Sequence, residues 1–476
     1  MPPESDPHRH TSDPRPVDAA GPPLRFRGGD AGALAPLALF LAGVAWLGLS
    51  GAPDERGFWP VLLAALALGL LLARDRDAYA DAVIDGMSRR LVMVMVLAWL
   101  LAGVLGTLIR ASGLVEALVW SADAAGVAGG GYVALAFLVG AVFSTATGTS
   151  LGTLLVCIPL LYPPGPALGA DPAWLLGAIL GGATFGDNVS PISDTTIASA
   201  GTQGADVAGV VRSRARYALP AAAATLVLSA LLGGAAGGGV AVTALEASPS
   251  LGAWAMLAAP ALVLALLLRR EGLVPSLLYG ILAAVAVGLL TGAFAPADLM
   301  RIDQEQFLAT GLLLDGMTRA VGISVFTILI MGLVGTVEAA GLLERAVGAV
   351  RARARSPRSA EGWIVGSTSA AVLLTTHSAV AILAVGDVVR DTGRAFGVGG
   401  YRRANLMDLT VCTWPFLLPF FIPTILAAAL TGGLPEAPRL SPWAAGLHNL
   451  HSWGLLVMVA VAVVTGWGRE ARGETP

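Results

Sequence analysis

The sequence predicts an all-α polytopic membrane protein, an inverted-topology repeat with broken transmembrane helices and two re-entrant hairpins. Apolar runs long enough to cross a hydrocarbon core of about 30 Å recur along the chain. Only 13% of the residues are charged and 55% are hydrophobic, whereas an ordinary soluble domain carries roughly a quarter charged residues. Short motifs also return at a nearly constant offset in the two halves.

In chain order, residues 1–30 are rich in Pro, Asp, Arg and His without an apolar stretch, which reads as a disordered cytoplasmic tail rather than a signal peptide. His8 and His10 in such a tail are incidental, not a metal site. Runs at 31–50 and 58–73 supply N-terminal transmembrane helices within 31–84. Runs at 87–109, 172–200 and 217–240 fall in a first transport repeat over 85–240. Those at 251–268 and 272–294 are connecting helices within 241–310. Runs at 311–337, 404–432 and 447–468 make a second, inverted repeat over 311–468, before a cytoplasmic tail at 469–476. The expectation is about 10 crossings.

Two further stretches, 131–161 and 361–389, carry small hydroxyl residues at their middles, "STATGTS" (144–150) and "LTTHS" (374–378). Arginine placement decides how to read them, because cytoplasmic loops carry the basic excess. The clusters are Arg74/Arg76/Arg89/Arg90, Arg212/Arg214/Arg216, Arg269/Arg270, Arg345 to Arg358, Arg390 to Arg403 and Arg469/Arg472, while 162–171 has none. If each stretch enters and leaves on one side, every cluster lands inside, and both termini are cytoplasmic.

The repeat is visible in the letters. "DGMSRR" (85–90) returns as "DGMTRA" (315–320), "GVLGT" (103–107) as "GLVGT" (332–336), and "GLVE" (113–116) as "GLLE" (341–344). An odd number of crossings separates the copies, so the second is upside down, a plan of many secondary transporters.

The polar residues that sit in apolar surroundings point to function. "GDNVSPISD" (186–194) places Asp187 and Asp194 on either side of Pro191, in a segment that also holds Gly177, Gly181, Gly182 and Gly186. Proline removes a donor and clashes with the preceding turn, so the helix is expected to unwind near 186–192. A carboxylate in mid-membrane costs about 2.5–3.5 kcal/mol on insertion scales and marks ion or proton pathways. A site that takes a proton or Na+, never both, is what exchange requires, and Asp187 and Asp194 are the expected Na+ ligands. The competing reading is that these carboxylates cap a broken half-helix. Asn188, Ser190, Ser193 and Thr195 would complete an oxygen shell, closed by Thr147, Thr149 and Ser150 of the first tip. The second tip offers Thr376 and His377, and Asp408 precedes Pro415, Pro419 and Pro423 in another stretch expected to be broken. His377 either titrates or donates a structural hydrogen bond, and Asp408 is either an interfacial cap or a site residue. Glu116, Glu338, Glu344 and Asp387 lie near membrane boundaries and read as solvated or paired.

Other chemistry is disfavoured. All 29 basic residues are arginine, which excludes lysine Schiff bases. Cys157 and Cys412 lie in apolar sequence and read as small core residues. No HExxH or metal-ligand cluster supports an enzyme; the letters of GxSxG occur once, as GTSLG (148–152), inside a hydroxyl-rich tip of an apolar stretch rather than between a strand and a helix, and no basic face suits nucleic acid.

At this point the residues resemble a known family. "FGDNVSPISDTT" (185–196) is similar to the signature of NhaC-type Na+/H+ antiporters, "STATGTSLGT" (144–153) to their Ser/Thr-rich tip, and "NLMDLTVCTWPFLLPF" (405–420) more loosely to their second-half segment. The resemblance runs from about residue 85 to 432. Asn188 stands where the family commonly has lysine, His377 and Ser378 where it has an acidic residue and glutamine, and Asp408 is alone where it has an acidic pair. The resemblance implies exchange of cytoplasmic Na+ (or Li+) for external H+ at the cytoplasmic membrane, with no cofactor. The expected partners are the two ions as cargo, the lipid bilayer, and a second copy of the chain as a homodimer still to be tested. The other function carried forward is Na+- or H+-coupled transport of a small organic acid or amino acid.

Overall fold

The computed structural model describes residues 23–50, 55–234, 249–304, 308–342, 345, 354–432 and 437–469. Residues 1–22 and 470–476 of the two expected tails, Glu344, and 346–353 of the arginine cluster lie outside the described residues.

The described chain is helical apart from one short antiparallel pair, Arg301–Asp303 with Leu308–Thr310. The first half contains α1 (Asp30–Leu49), α2 (Phe58–Leu72), α3 (Arg76–Met87), α4 (Arg90–Ala111), α5 (Leu114–Ala124), α6 (Gly129–Thr147), α7 (Ser150–Leu161), α8 (Pro172–Val189), α9 (Asp194–Gln203) and α10 (Val207–Leu232). Connecting helices follow: α11 (Leu251–Ala255), α12 (Ala258–Leu268), α13 (Leu273–Thr291) and α14 (Pro296–Leu299). The second half holds α15 (Leu312–Ala339), α16 (Pro357–Thr375), α17 (Ser378–Ala395), α18 (Gly400–Val411), α19 (Trp414–Leu417), α20 (Ile422–Leu430), α21 (Pro442–Leu447) and α22 (Leu450–Thr465).

Helix starts follow local chemistry. Asp75, Asp171 and Asp206 each accept from backbone amides of the turn they open, and Pro172 takes the position where a missing N–H costs nothing. Large apolar side chains on the outer faces of α2, α10 and α13, such as Leu71, Leu231 and Leu290, remain exposed. They belong in lipid, where no hydrophobic penalty attaches to them.

Among the described residues seven helices are long and apolar enough to cross a membrane, or eight if the bent pair over 400–430 counts as one span. That falls below the ten expected by reading apolar runs. Of the ten, 58–73 and 447–468 fold as Phe58–Leu72 and Leu450–Thr465, apolar helices of only 10–17 residues, short of the ~20 that a crossing needs, and 172–200 is divided between α8 and α9. One of the seven, Gly129–Thr147, lies instead in the stretch 131–161 expected to be re-entrant. Both hydroxyl-rich stretches do turn back at their middles, α6 against α7 and α16 against α17.

Glycine sets how closely the central helices approach. On α4 and α15, a Cβ at Gly103 would fall 2.2 Å from the Gly316 carbonyl, and one at Gly316 would meet Val104 Cα at 2.5 Å. A Cβ at Gly86, at the end of α3, would lie 2.3 Å from the Met331 carbonyl. Rising numbers on one side meet falling numbers on the other, so α15 runs antiparallel to α3 and α4. The repeated motifs "DGM" and "GxxGT" therefore pack on each other. Small residues make such contact possible where no hydrophobic effect drives helices together.

The structure corrects the arginine reading at three positions. Arg214, Arg402 and Arg403 are buried, not in cytoplasmic loops. Each guanidinium finds acceptors inside: Arg402 forks onto Glu361 at 3.1 and 3.2 Å and donates to Tyr217 at 2.6 Å, and Arg403 donates to Gln203 Oε1 at 2.9 Å. Satisfied donors are what make a buried charge tolerable. Of the boundary acids, Glu338 pairs with Arg89 and Asp387 with Arg390.

The α4–α15 crossing gives the first prediction. Gly316→Val should cost about 1–3 kcal/mol through overpacking and lower the melting temperature in detergent. Gly366→Val, where a Cβ meets nothing within 4 Å, should melt like the parent. Equal melting of the two variants would contradict this packing.

Candidate ion-binding site

Four interruptions of helical structure meet at one place. The first tip turns at Gly148, whose φ of 69° is left-handed, and Thr149 then caps α7 by accepting from the Gly152 amide at 3.3 Å. The second tip turns at Thr376 with φ 53°, a conformation rare for a β-branched residue and often kept at functional sites. His377 follows as the residue that opens α17. The third interruption is Ser190–Ser193, between α8 and α9, and the fourth is the run after α18 that contains Pro415 and Pro423. Thr149, Ser150, Asp187, Asp194, Thr195, Thr376, His377, Pro415 and Pro423 all line a cavity of ≈ 340 Å³.

The break differs from the sequence expectation. The chain stays helical through Val189 and unwinds only over Ser190–Ser193. Pro191 disfavours helix at the residue before it, so the Ser190 amide closes the last turn onto the Gly186 carbonyl at 2.9 Å. Gly186 does not unwind. It lets α8 touch α6, since a Cβ there would lie 2.4 Å from Ser144 Cβ. Asp187 is thus held on rigid helix, facing the cavity.

Asp187 is 6% exposed. Its Oδ2 accepts from Ser150 Oγ at 2.8 Å and its Oδ1 from Ser193 Oγ at 2.7 Å, and Ser193 Oγ lies 3.0 Å from Thr195 Oγ1. Tip and break each supply one hydroxyl, and each carboxylate oxygen retains a further lone pair. Asp194 is exposed to the cavity at the start of α9, with its Oδ1 accepting the Thr195 amide at 2.8 Å. Two carboxylates and hydroxyls in an apolar frame form the oxygen-rich set that suits a hard cation. His377 lines the same cavity, and its buried Nδ1 has no hydrogen-bond partner among the described residues.

The remaining expected residues fall elsewhere. Thr147 spends its hydroxyl on the Phe143 carbonyl at 3.0 Å, and Ser190 turns to the Ile192 amide at 3.4 Å; both serve local structure. Asn188 points away from the cavity wall and donates to Asp408 Oδ1 at 2.9 Å. Asp408 is fully buried, not an interfacial cap, and also accepts from Ser199 at 3.2 Å and from Cys412 Sγ at 3.4 Å. It lies one layer behind the cavity.

The residue that sequence reasoning missed is Arg214. Its Nη1 stands 3.0 Å from Asp408 Oδ2 with both side chains wholly buried, and the same nitrogen donates to the Asn188 carbonyl at 2.5 Å and Thr196 Oγ1 at 2.8 Å. Its Nε donates to Asn405 Oδ1 at 3.1 Å. The missed signal is helical spacing: Val210, Arg214, Tyr217, Ala221 and Thr225 form one buried stripe on α10, while Arg212 and Arg216 face out. Outside the spans, Asp206 at the start of α10 accepts from Tyr401 and the Gly209 amide, which hold its carboxyl below the usual range.

A bundle of membrane-length helices with a carboxylate-bearing cavity at the meeting of broken helices is the class of architecture in which secondary transporters place their substrate sites. Similarity to known proteins narrows the class. Residues 38–234 match the Na+/H+ antiporter family. The chain is 28% identical over 256 residues to the Na+/H+ antiporter NhaC of Alkalihalophilus pseudofirmus, covering 50% of this chain and 52% of the relative. It is 32% identical over 163 residues to NhaC of Bacillus subtilis, 33% of this chain and 35% of the relative. It is also 30% identical over 202 residues to the malate-2H+/Na+-lactate antiporter of Bacillus subtilis, 42% of each. The chain thus spans about half the length, or less, of the curated relatives it matches. The resemblance to NhaC-type antiporters therefore stands on overall similarity as well as on motifs.

The cavity makes a prediction about access. In a Cys157→Ser/Cys412→Ser background, a cysteine at Ala379, on the cavity wall, should react with a small charged thiol reagent. One at Thr368, which is wholly buried, should not. Equal labelling would contradict the cavity as described.

Proposed function

We propose that the protein is a secondary transporter that exchanges Na+ (or Li+) for H+ across the cytoplasmic membrane by alternating access. The observation that carries the reading is Asp187: a buried carboxylate on a rigid half-helix, each oxygen held by one hydroxyl, opening onto a cavity. A proton on this carboxyl occupies the oxygen lone pairs that a cation needs. Occupancy by one excludes the other, and exchange follows if the cavity opens alternately to the two sides. Asp194 at the cavity rim adds negative charge to attract the cation, and Thr195 and Ser193 add oxygen.

The antiparallel packing of α3 and α4 on α15 supports the proposal that 85–240 and 311–468 are inverted copies, with both termini cytoplasmic and the intervening regions divided as the sequence suggests. The 30% identity to a malate-2H+/Na+-lactate antiporter favours a second reading, exchange of small carboxylates on the same scaffold.

Proteoliposomes with an internal pH dye test both readings. Na+ or Li+ gradients should drive proton flux in the parent, Asp187→Asn should insert normally and transport at background, and Asp194→Asn should raise the Na+ concentration for half-maximal flux. Parental flux in Asp187→Asn would contradict the assignment. Flux driven by lactate or malate but not by Na+ alone would favour the second reading.

A further inference from the structure

Arg214 and Asp408 have no place yet in the exchange. Behind the cavity Arg214 touches both sides of the break, the Asn188 carbonyl in α8 and Thr196 in α9, and across to α18 it meets Asn405 and Asp408. It therefore joins the interrupted helix of the first half to that of the second. The Asn188 carbonyl belongs to the last turn of α8, the negative end of that helix, so the guanidinium offsets two negative features at once.

We infer that Arg214 is the resident cation of the transport site, a positioning residue that with Asp408 forms a neutral block behind it, leaving the cargo charge to Asp187 and Asp194. The inference rests on the exchange reading above. Asp408 then never carries cargo: its oxygens are already taken by Arg214, Asn188, Ser199 and Cys412. The other charged or titratable groups facing the site are Asp187 on α8, Asp194 on α9, His377 at the start of α17 and, further off, Arg89 before α4.

The pair has opposite effects when broken from its two ends. Arg214 lies against the backbone of Asn188, the residue next to Asp187, so the two charges stand within roughly 10 Å of each other. A unit charge at that distance changes cation affinity by about tenfold at the effective dielectric of protein sites. Arg214→Gln leaves a net negative charge and should bind Na+ about tenfold more tightly and release it more slowly, lowering both KM and kcat. Asp408→Asn leaves a net positive charge and should weaken Na+ binding about tenfold. Arg214→Gln/Asp408→Asn should return affinity toward the parent, and Arg214→Lys should keep it.

The experiment is equilibrium binding of 22Na+ to purified, monodisperse protein at alkaline pH, with Na+-driven flux measured in parallel. Opposite shifts in the two single variants, cancelling in the double, support the inference. A purely structural role would weaken binding in both singles, and shifts in the same direction, or none, would overturn it. If Arg214→Gln does not accumulate in folded form, Asp408→Asn against the double variant carries the same comparison. Absence of Na+ binding in the parent would overturn the exchange reading itself, and this inference with it.

Discussion

In hydrocarbon a peptide group without a partner costs several kcal/mol, and that constraint governs this molecule. A helix can be interrupted only where protein supplies the missing partners. Here the interruptions are gathered at one place so that they supply one another. Ser193 from the break and Ser150 from the first tip meet on Asp187. Behind them Arg214 takes the carbonyl of Asn188, which the end of α8 leaves without an amide. Scattered along the bundle, the same breaks would each be a defect.

The gathering also explains why charges are tolerated at this depth. Burying two ions costs several kcal/mol each unless geometry and further hydrogen bonds compensate. Asp408 and Arg214 meet that condition through their contacts with each other and with Asn188, Asn405, Thr196 and Ser199. Asp187 meets it only in part, with two hydroxyl donors and, among the described residues, no cation in contact. The incompletely compensated carboxylate is the one that faces the cavity. It is the group with most to gain from a proton or a cation.

Much of this was legible in the letters. The tips, the two proline breaks, and the convergence of Asp187 with Ser150, Ser193 and Thr195 follow from polar residues that apolar sequence would not otherwise keep. What was illegible has physical causes. Apolar runs do not reveal where a helix ends, so 447–468 read as longer than α22, and 172–200 read as one segment although α8 stops at Val189. Gly186 looked like a point of unwinding and is instead a point of close packing against Ser144, which only a neighbouring helix reveals. Arg214 was hidden among Arg212 and Arg216 because a cluster of like residues suggests a loop, although its spacing from Tyr217 and Val210 marks the inward face. Nothing in the letters around Asn188 shows a positive charge beside Asp187, and Arg214 supplies one from a different helix.

The central claim is that cargo is held at Asp187, in front of a neutral Arg214–Asp408 pair. Crystals grown at alkaline pH and soaked in Tl+, whose anomalous signal marks a monovalent cation, test it most directly. The account predicts one peak in the cavity against the Asp187 carboxylate, within reach of Thr195 and Asp194, which disappears in Asp187→Asn. A peak beside Asp408, or one at Asp187 that survives the substitution, would contradict it.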